Sequence, residues 1–344
     1  MSKVTRFVIC AFVICNMFAL GWWGNDYYKN YLNKDLSLPS WNKPKPLEKY
    51  TIENLSKTEI KPVKVSINEN IFSFEFDPTL EYKKGIPLKK VTGLINLPKT
   101  DSQKPKPESK MPIVILLRGY VDQSIYQTGV GTKRVGEFFS ENEYITLAPD
   151  FLGYGGSSIE SSNIFESRFQ TYTTALTLIK SINKDNFPEW DGKNIFIWAH
   201  SNGGQIALTT LAVLGESNLD LIKATILWAP VTEGFPYSVL YYTNESEDQG
   251  KFIRSKLSQF EEDYDVSKFS FTNYLEKINV PIEYHWGTND DAISSEWRNN
   301  FLKKMRSLEK DITNYNHIGA DHNMNPLWTD AITQSLEFFN SNKI

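Results

Sequence analysis

The chain has 344 residues, 40% hydrophobic, 14% aromatic and 23% charged, a composition that belongs to folded globular proteins and excludes a disordered one. A net charge of −4 excludes the basic footprint of a nucleic-acid binder. Both cysteines, Cys10 and Cys15, fall in the first apolar run, so neither a disulfide framework nor a thiolate metal site is expected in the rest of the chain.

Lys3 and Arg6 precede an apolar run over 7–23, which as a helix would span about 26 Å, close to the hydrocarbon thickness of a bilayer. Residues 1–24 therefore read as a signal peptide or a membrane anchor. Ala19-Leu20-Gly21 is a poor cleavage pattern and Trp22 and Trp23 sit at interface level, which favours the anchor. Positive residues on the N-terminal side alone place the body outside the cytoplasm, anchored or secreted. Residues 25–60, with their Pro- and Lys-rich stretch "LPSWNKPKPLEK", read as a solvated stalk, and 61–344 as the folded body.

From residue 86 onward β-rich runs alternate with helical spacing, the pattern of parallel strands joined by crossover helices. "KVTGLINL" and "IVILL" (113–117) flank a polar loop at 98–112. Further strands are expected at 143–149, 194–200, 223–230, 281–287 and 312–318. Helical spacing joins Phe169 to Ile179, Ala207 to Leu214, Trp297 to Met305 and Trp328 to Phe339. The fold class expected is α/β, with a mostly parallel central sheet covered by helices on both faces.

In "NIFIWAHSNGGQIALTTLA" a strand passes through a small-residue turn into a helix, with Ser201 at the turn. Ala199 and Gly203 hold the outer positions of a G-x-S-x-G elbow, where small side chains permit a strained turn that exposes the hydroxyl. A serine hydroxyl needs a base to take its proton. Of four histidines, His200 adjoins the serine and is expected to project elsewhere, while His285 and His317 lie within strands. His322, in the loop "IGADHNMNP" after the last strand, is the candidate base, with His317 next. The acid orienting it is expected at the end of the preceding strand, in "GTNDD"; Asp290 is favoured over Asp291, which suits a turn cap.

Ser201, Asp290 and His322 in this order, together with "MPIVILLRGY", "ENEYITLAPDFLGYGGSS", "GTNDD" and "GADHN", resemble the α/β-hydrolase superfamily, in its prolyl oligopeptidase-like and dienelactone hydrolase-like branch. The resemblance covers roughly residues 86–340. It implies an oxyanion hole from the backbone N–H groups of Tyr120 and Asn202. The chain departs from the superfamily at Arg118, where a histidine is usual, and at Ala199, where the first elbow glycine is usual.

The aromatic and acidic stretch at about 232–276 reads as a helical lid. Its acids at 261–265 read first as a solvated face, and alternatively as receptors for a substrate ammonium. The resemblance implies a serine hydrolase acting through an acyl-enzyme on a small-molecule or peptide substrate, without metal or organic cofactor. A serine peptidase of prolyl oligopeptidase type is the leading reading and an esterase on small acyl esters the alternative. A silent binding protein on the same scaffold is kept as a third.

Overall fold

The computed structural model describes residues 43–98, 110–244 and 246–344. The expected signal peptide or anchor at 1–24, most of the stalk and most of the polar loop at 98–112 lie outside the described residues. No helix among the described residues is long and apolar enough to cross a membrane.

Nine strands form one sheet: β1 (Val65–Asn68), β2 (Ile71–Phe76), β3 (Lys89–Asn96), β4 (Met111–Leu117), β5 (Ile145–Pro149), β6 (Trp190–His200), β7 (Ala224–Trp228), β8 (Ile282–Gly287) and β9 (Ile312–His317). Their order is β1-β2-β3-β5-β4-β6-β7-β8-β9. The first three strands run antiparallel to their neighbours, and β5, β4, β6, β7, β8 and β9 are parallel to one another.

Strand alternation sorts side chains to two cores. On β4 and β6, Ile113, Ile115, Leu117, Ile195, Ile197 and Ala199 join one cluster, while Val114, Leu116, Phe196 and Trp198 join the other. Helices α3 (Ile164–Lys180), α4 (Asn202–Glu216) and α7 (Ser295–Ser307) contribute to the first cluster, through Phe169, Leu208 and Met305 among others. Helices α2 (Lys133–Glu141) and α8 (Trp328–Ser341) contribute to the second through Phe139 and Phe339. Each crossover thus buries an apolar helix face on one side of the sheet or the other. The expected α/β class is the observed one.

Two expectations need correction. The sheet starts earlier than residue 86: β1 and β2 form a hairpin in which Phe72, Phe74 and Phe76 alternate with Ile71, Ser73 and Glu75. The solvated stalk does not reach residue 60. Leu47–Ile344 form one compact unit, in which Leu47, Tyr50, Ile52, Leu55 and Ile60 belong to the first core. A short helix, α1 (Ile52–Lys57), packs on α4, and Thr51 caps it by accepting from the Asn54 N–H. The Pro-rich stretch ends at Pro46, and these five apolar residues, in and around a 3-10 turn and a six-residue helix, carry no period long enough to read.

Between β7 and β8 the chain makes α5 (Tyr237–Thr243), α6 (Lys251–Asp263) and three short 3-10 turns. This is the helical insertion expected at about 232–276. Phe235, Phe260 and Phe269 seat it on Phe165 and Phe169 of α3 by edge and stacked ring contacts.

Candidate active site

Ser201 stands between β6 and α4 with φ 53° and ψ −121°, a conformation costly for any residue with a side chain. Its backbone is held on both sides: its N–H donates to the Trp228 carbonyl at 3.0 Å, and its own carbonyl accepts from Gly204 and Val231 at 2.9 Å each. Gly203 is required because a Cβ there would lie 2.0 Å from the Leu117 carbonyl oxygen. The elbow geometry read from "AHSNGG" is therefore enforced by β4 and β7, its neighbours in the sheet.

His322 lies in the loop between β9 and α8, and Asp290 three residues past β8. The Nδ1 of His322 is 3.0 and 3.1 Å from the two carboxylate oxygens of Asp290. With Nδ1 engaged, Nε2 is the nitrogen left for proton transfer. Asp290 also accepts from the N–H groups of Ala292 and Ile293, which fixes its carboxylate. The two loops meet backbone to backbone: a Cβ on Gly287 would fall 2.2 Å from the Ala320 carbonyl oxygen, and the Asn289 N–H donates to that carbonyl at 2.9 Å. Asp291, the other acid considered, is exposed.

His200 belongs to this arrangement, contrary to its expected projection elsewhere. Its ring centroid lies 4.6 Å from that of His322, and its Nε2–H donates to the His322 carbonyl at 3.0 Å. A carbonyl only accepts, so His200 holds its proton on Nε2. Burial, reinforced by the neighbouring His322, lowers its pKa to about 4 and keeps the ring neutral. The signal was present in strand alternation, since His200 continues the Phe196–Trp198 face and stacks on Trp198.

The Gly119–Tyr120 peptide lies beside Ser201, because a Cβ on Gly119 would be 3.0 Å from the Ser201 Cβ. Among the described residues, neither the Tyr120 N–H nor the Asn202 N–H donates to another group. Two free backbone donors flanking a strained serine can receive a developing oxyanion. Arg118, 6% exposed, braces this loop by donating to the carbonyls of Gly119 (2.9 Å) and Asp150 (3.1 Å). Its guanidinium packs on the rings of Tyr154, Tyr126 and Phe151, with centroids 4.0, 4.6 and 5.7 Å away. The buried Asp150 carboxylate nearby accepts from the hydroxyls of Thr92, Tyr126 and Thr128. Arginine thus stands in a built cage where the superfamily commonly has histidine.

A cavity of about 170 Å³ opens beside the oxyanion donors, lined by Tyr120, Asn202, Ile206, Arg168 and Glu160 among others. Residues 261–265 do not line it. Glu261 and Glu262 are exposed, and Asp265 accepts from Ser267 to cap a 3-10 turn. The alternative of an ammonium received there is therefore set aside. Among the described residues no His, Cys, Asp and Glu cluster could hold a metal ion.

A serine at a strand-to-helix turn and a histidine–aspartate pair past the strand ends, on a mostly parallel sheet, give this chain the α/β-hydrolase fold and the residue types that a serine hydrolase uses. No family model matches the chain. It is 22% identical over 292 residues to an acetyl esterase of Xylanibacter ruminicola, which spans 75% of this chain and 59% of that protein. An acylaminoacyl peptidase of Pyrococcus horikoshii shares the fold at a TM-score of 0.56 and 16% identity, over 82% of this chain and 42% of its own. Est1E of Butyrivibrio proteoclasticus, solved with ferulic acid bound, shares it at 0.51 and 19%, over 74% and 96%.

Proposed function

We propose that the protein is a carboxylic ester hydrolase that works through an acyl-enzyme. The observation that carries this reading is a strained Ser201 with two unengaged backbone donors, at the end of the sheet where Asp290 orients His322. Ser201 Oγ attacks the ester carbonyl as His322 Nε2 takes its proton, and the oxyanion rests on the N–H groups of Tyr120 and Asn202. Collapse breaks the C–O bond, and His322 returns the proton to the departing alkoxide, which leaves as an alcohol. Water then attacks the acyl-enzyme, again giving its proton to His322, and Ser201 is restored as the carboxylic acid departs.

A peptidase of prolyl oligopeptidase type would use the same steps. The ester reading is preferred because the curated relative is an acetyl esterase and because the acidic run at 261–265, which would have received an amino terminus, is away from the cavity. Purified protein should hydrolyse p-nitrophenyl acetate and should be labelled by a fluorophosphonate, and Ser201→Ala should abolish both. Cleavage of aminoacyl arylamides in preference to esters would restore the peptidase reading. Failure to label would leave a binding protein on a hydrolase scaffold.

The body is further proposed to be tethered outside the cytoplasm, supported by Lys3 and Arg6 ahead of the apolar run at 7–23. Retention on membranes after a carbonate wash is the expected result, and a mature chain beginning at Trp22 would replace the tether with a cleaved signal peptide.

A further inference from the structure

The cavity beside Ser201 contains a cation with no anionic partner. Arg168, on α3, lines it together with Gln205, which lies on α4 one helical turn past the nucleophile. The guanidinium donates to the Gln205 side-chain oxygen Oε1, and its Nη2 lies 3.5 Å from the Ser238 hydroxyl. Gln205 and Ser238 are themselves buried and bonded to each other, so the arginine is held by neutral groups at a fixed place. Its Nε is shut off from solvent without a hydrogen-bond partner, and no carboxylate among the described residues pairs with it.

The second cation on the cavity wall is Arg118, whose Nε also lacks a partner, but it is 6% exposed, covered by aromatic rings and tied to two carbonyls of its own loop. Glu160 accepts from Gln123 on the solvent side (2.9 Å) and from Ser167 (3.0 Å). Arg168 is the group left to receive a ligand, and a guanidinium fork matches a carboxylate geometrically.

The side of the reaction follows from the lining. His322 hands its proton to the leaving group, so that group departs past the loop between β9 and α8. The cavity is lined by the oxyanion donors and by no residue of that loop, which makes it the acyl side. We infer that the preferred acyl group ends in a carboxylate, as a short dicarboxylic acid half-ester does, and that Arg168 receives that carboxylate. This deepens the ester hydrolase reading and rests on it for turnover, though not for binding.

Two measurements separate the inference from its foundation. The first compares p-nitrophenyl hemisuccinate with p-nitrophenyl butyrate, similar in length and differing in charge. The wild-type protein should favour the anionic ester by tenfold or more in kcat/KM, Arg168→Gln should lower that ratio at least tenfold, and Arg168→Lys should keep part of it. A wild-type ratio near one, or an unchanged ratio in Arg168→Gln, overturns the inference. The second measures succinate binding by calorimetry to Ser201→Ala and to Ser201→Ala with Arg168→Gln. Binding to the first and not the second upholds the anion site even if no ester is turned over. Equal binding, or none to either, overturns it.

Discussion

Two histidine–carboxylate pairs sit on the last two strands of the sheet, and they behave as opposites. Asp290 and His322 meet at 3.0 Å in loops past the strand ends, with side chains 6% and 20% exposed. Glu283 and His285 meet at 2.8 Å inside β8, with side chains 2% and 0% exposed. Distance does not separate them. Burial does: it pushes the Glu283 carboxyl up to about 8 and the His285 imidazole down to about 3, so both are neutral near pH 7.

Neutrality orders the protons in the buried pair. The Glu283 O–H donates to His285 Nε2, and the His285 Nδ1–H then donates to His317 Nε2 at 2.8 Å. Desolvation, with help from His285, lowers His317 to about 4, so this third member is neutral too. The Ser335 hydroxyl on α8 lies 3.4 Å from His285 Nε2 and accepts from the Trp228 indole N–H at 3.1 Å, which closes the network against the helix. The buried chain ties β8, β9 and α8 together. The exposed pair keeps a ring nitrogen for a reacting group.

Amide substitution separates the two pairs most sharply. Asp290→Asn should lower kcat by about 10⁴, because an amide no longer fixes the histidine tautomer. Glu283→Gln should leave kcat within a few-fold, because the amide N–H donates to His285 Nε2 as the neutral carboxyl does. Steady-state kinetics and melting curves of both variants test this. A large loss in Glu283→Gln would mean that the buried pair is ionised and that the two pairs are alike.

Deleting the buried partner is the next largest effect. Glu283→Ala leaves His285 without its donor in a dry site, and a loss of about 1–3 kcal/mol in unfolding free energy is expected. Urea titration reads it directly. Asp291→Ala, on the exposed side of the comparison, should change neither stability nor turnover measurably.

The exposed pair was largely legible in the sequence and the buried one was not. Ser201, Asp290 and His322 stand in loops marked by Gly203, Gly287 and Gly319, where strand patterns stop and the chain must turn. Glu283, His285 and His317 sit within strand patterns and read as core or sheet-face residues. Their partners come from β9 and α8, which are 32 and 50 residues away from His285 in the chain. Arg118 was visible as a departure, but its cage of Tyr126, Phe151 and Tyr154 is assembled by tertiary packing. The same reason hides the docking of residues 47–60.

Proton linkage gives the buried pair a signature in stability. Glu283 is raised in the folded state, so between about pH 6.5 and 8 the folded protein holds a proton that the unfolded chain has lost, and stability falls as pH rises. Between about 4.5 and 6.5 the lowered pKa values of His285, His317 and His200 make the unfolded chain bind three extra protons against the one that Glu283 keeps in the folded state, so stability falls as pH falls. Below 4.5 Glu283 is protonated in both states and no longer opposes the histidines, and the fall continues until they titrate in the folded protein. Melting temperature should therefore decline from pH 6.5 to 8, and Glu283→Gln should flatten that decline. An unchanged slope in the variant would assign the decline to other groups.

The smallest expected effect lies where the two kinds of histidine meet. His200 is neutral like the buried chain, yet it touches the exposed pair, donating to the His322 carbonyl with its ring tilted against that of His322. His200→Phe keeps a ring on Trp198 and removes the donor, so the His322 loop loses one hydrogen bond worth about 1 kcal/mol. Expressed in turnover that is about a five- to tenfold fall in kcat. Because His200 titrates near 4, the ratio of wild-type to variant kcat should be constant from pH 6 to 9. A ratio that changes across that range would mean that His200 exchanges protons with His322, and no fall at all would mean that Asp290 and the Gly287–Ala320 contact position His322 without it.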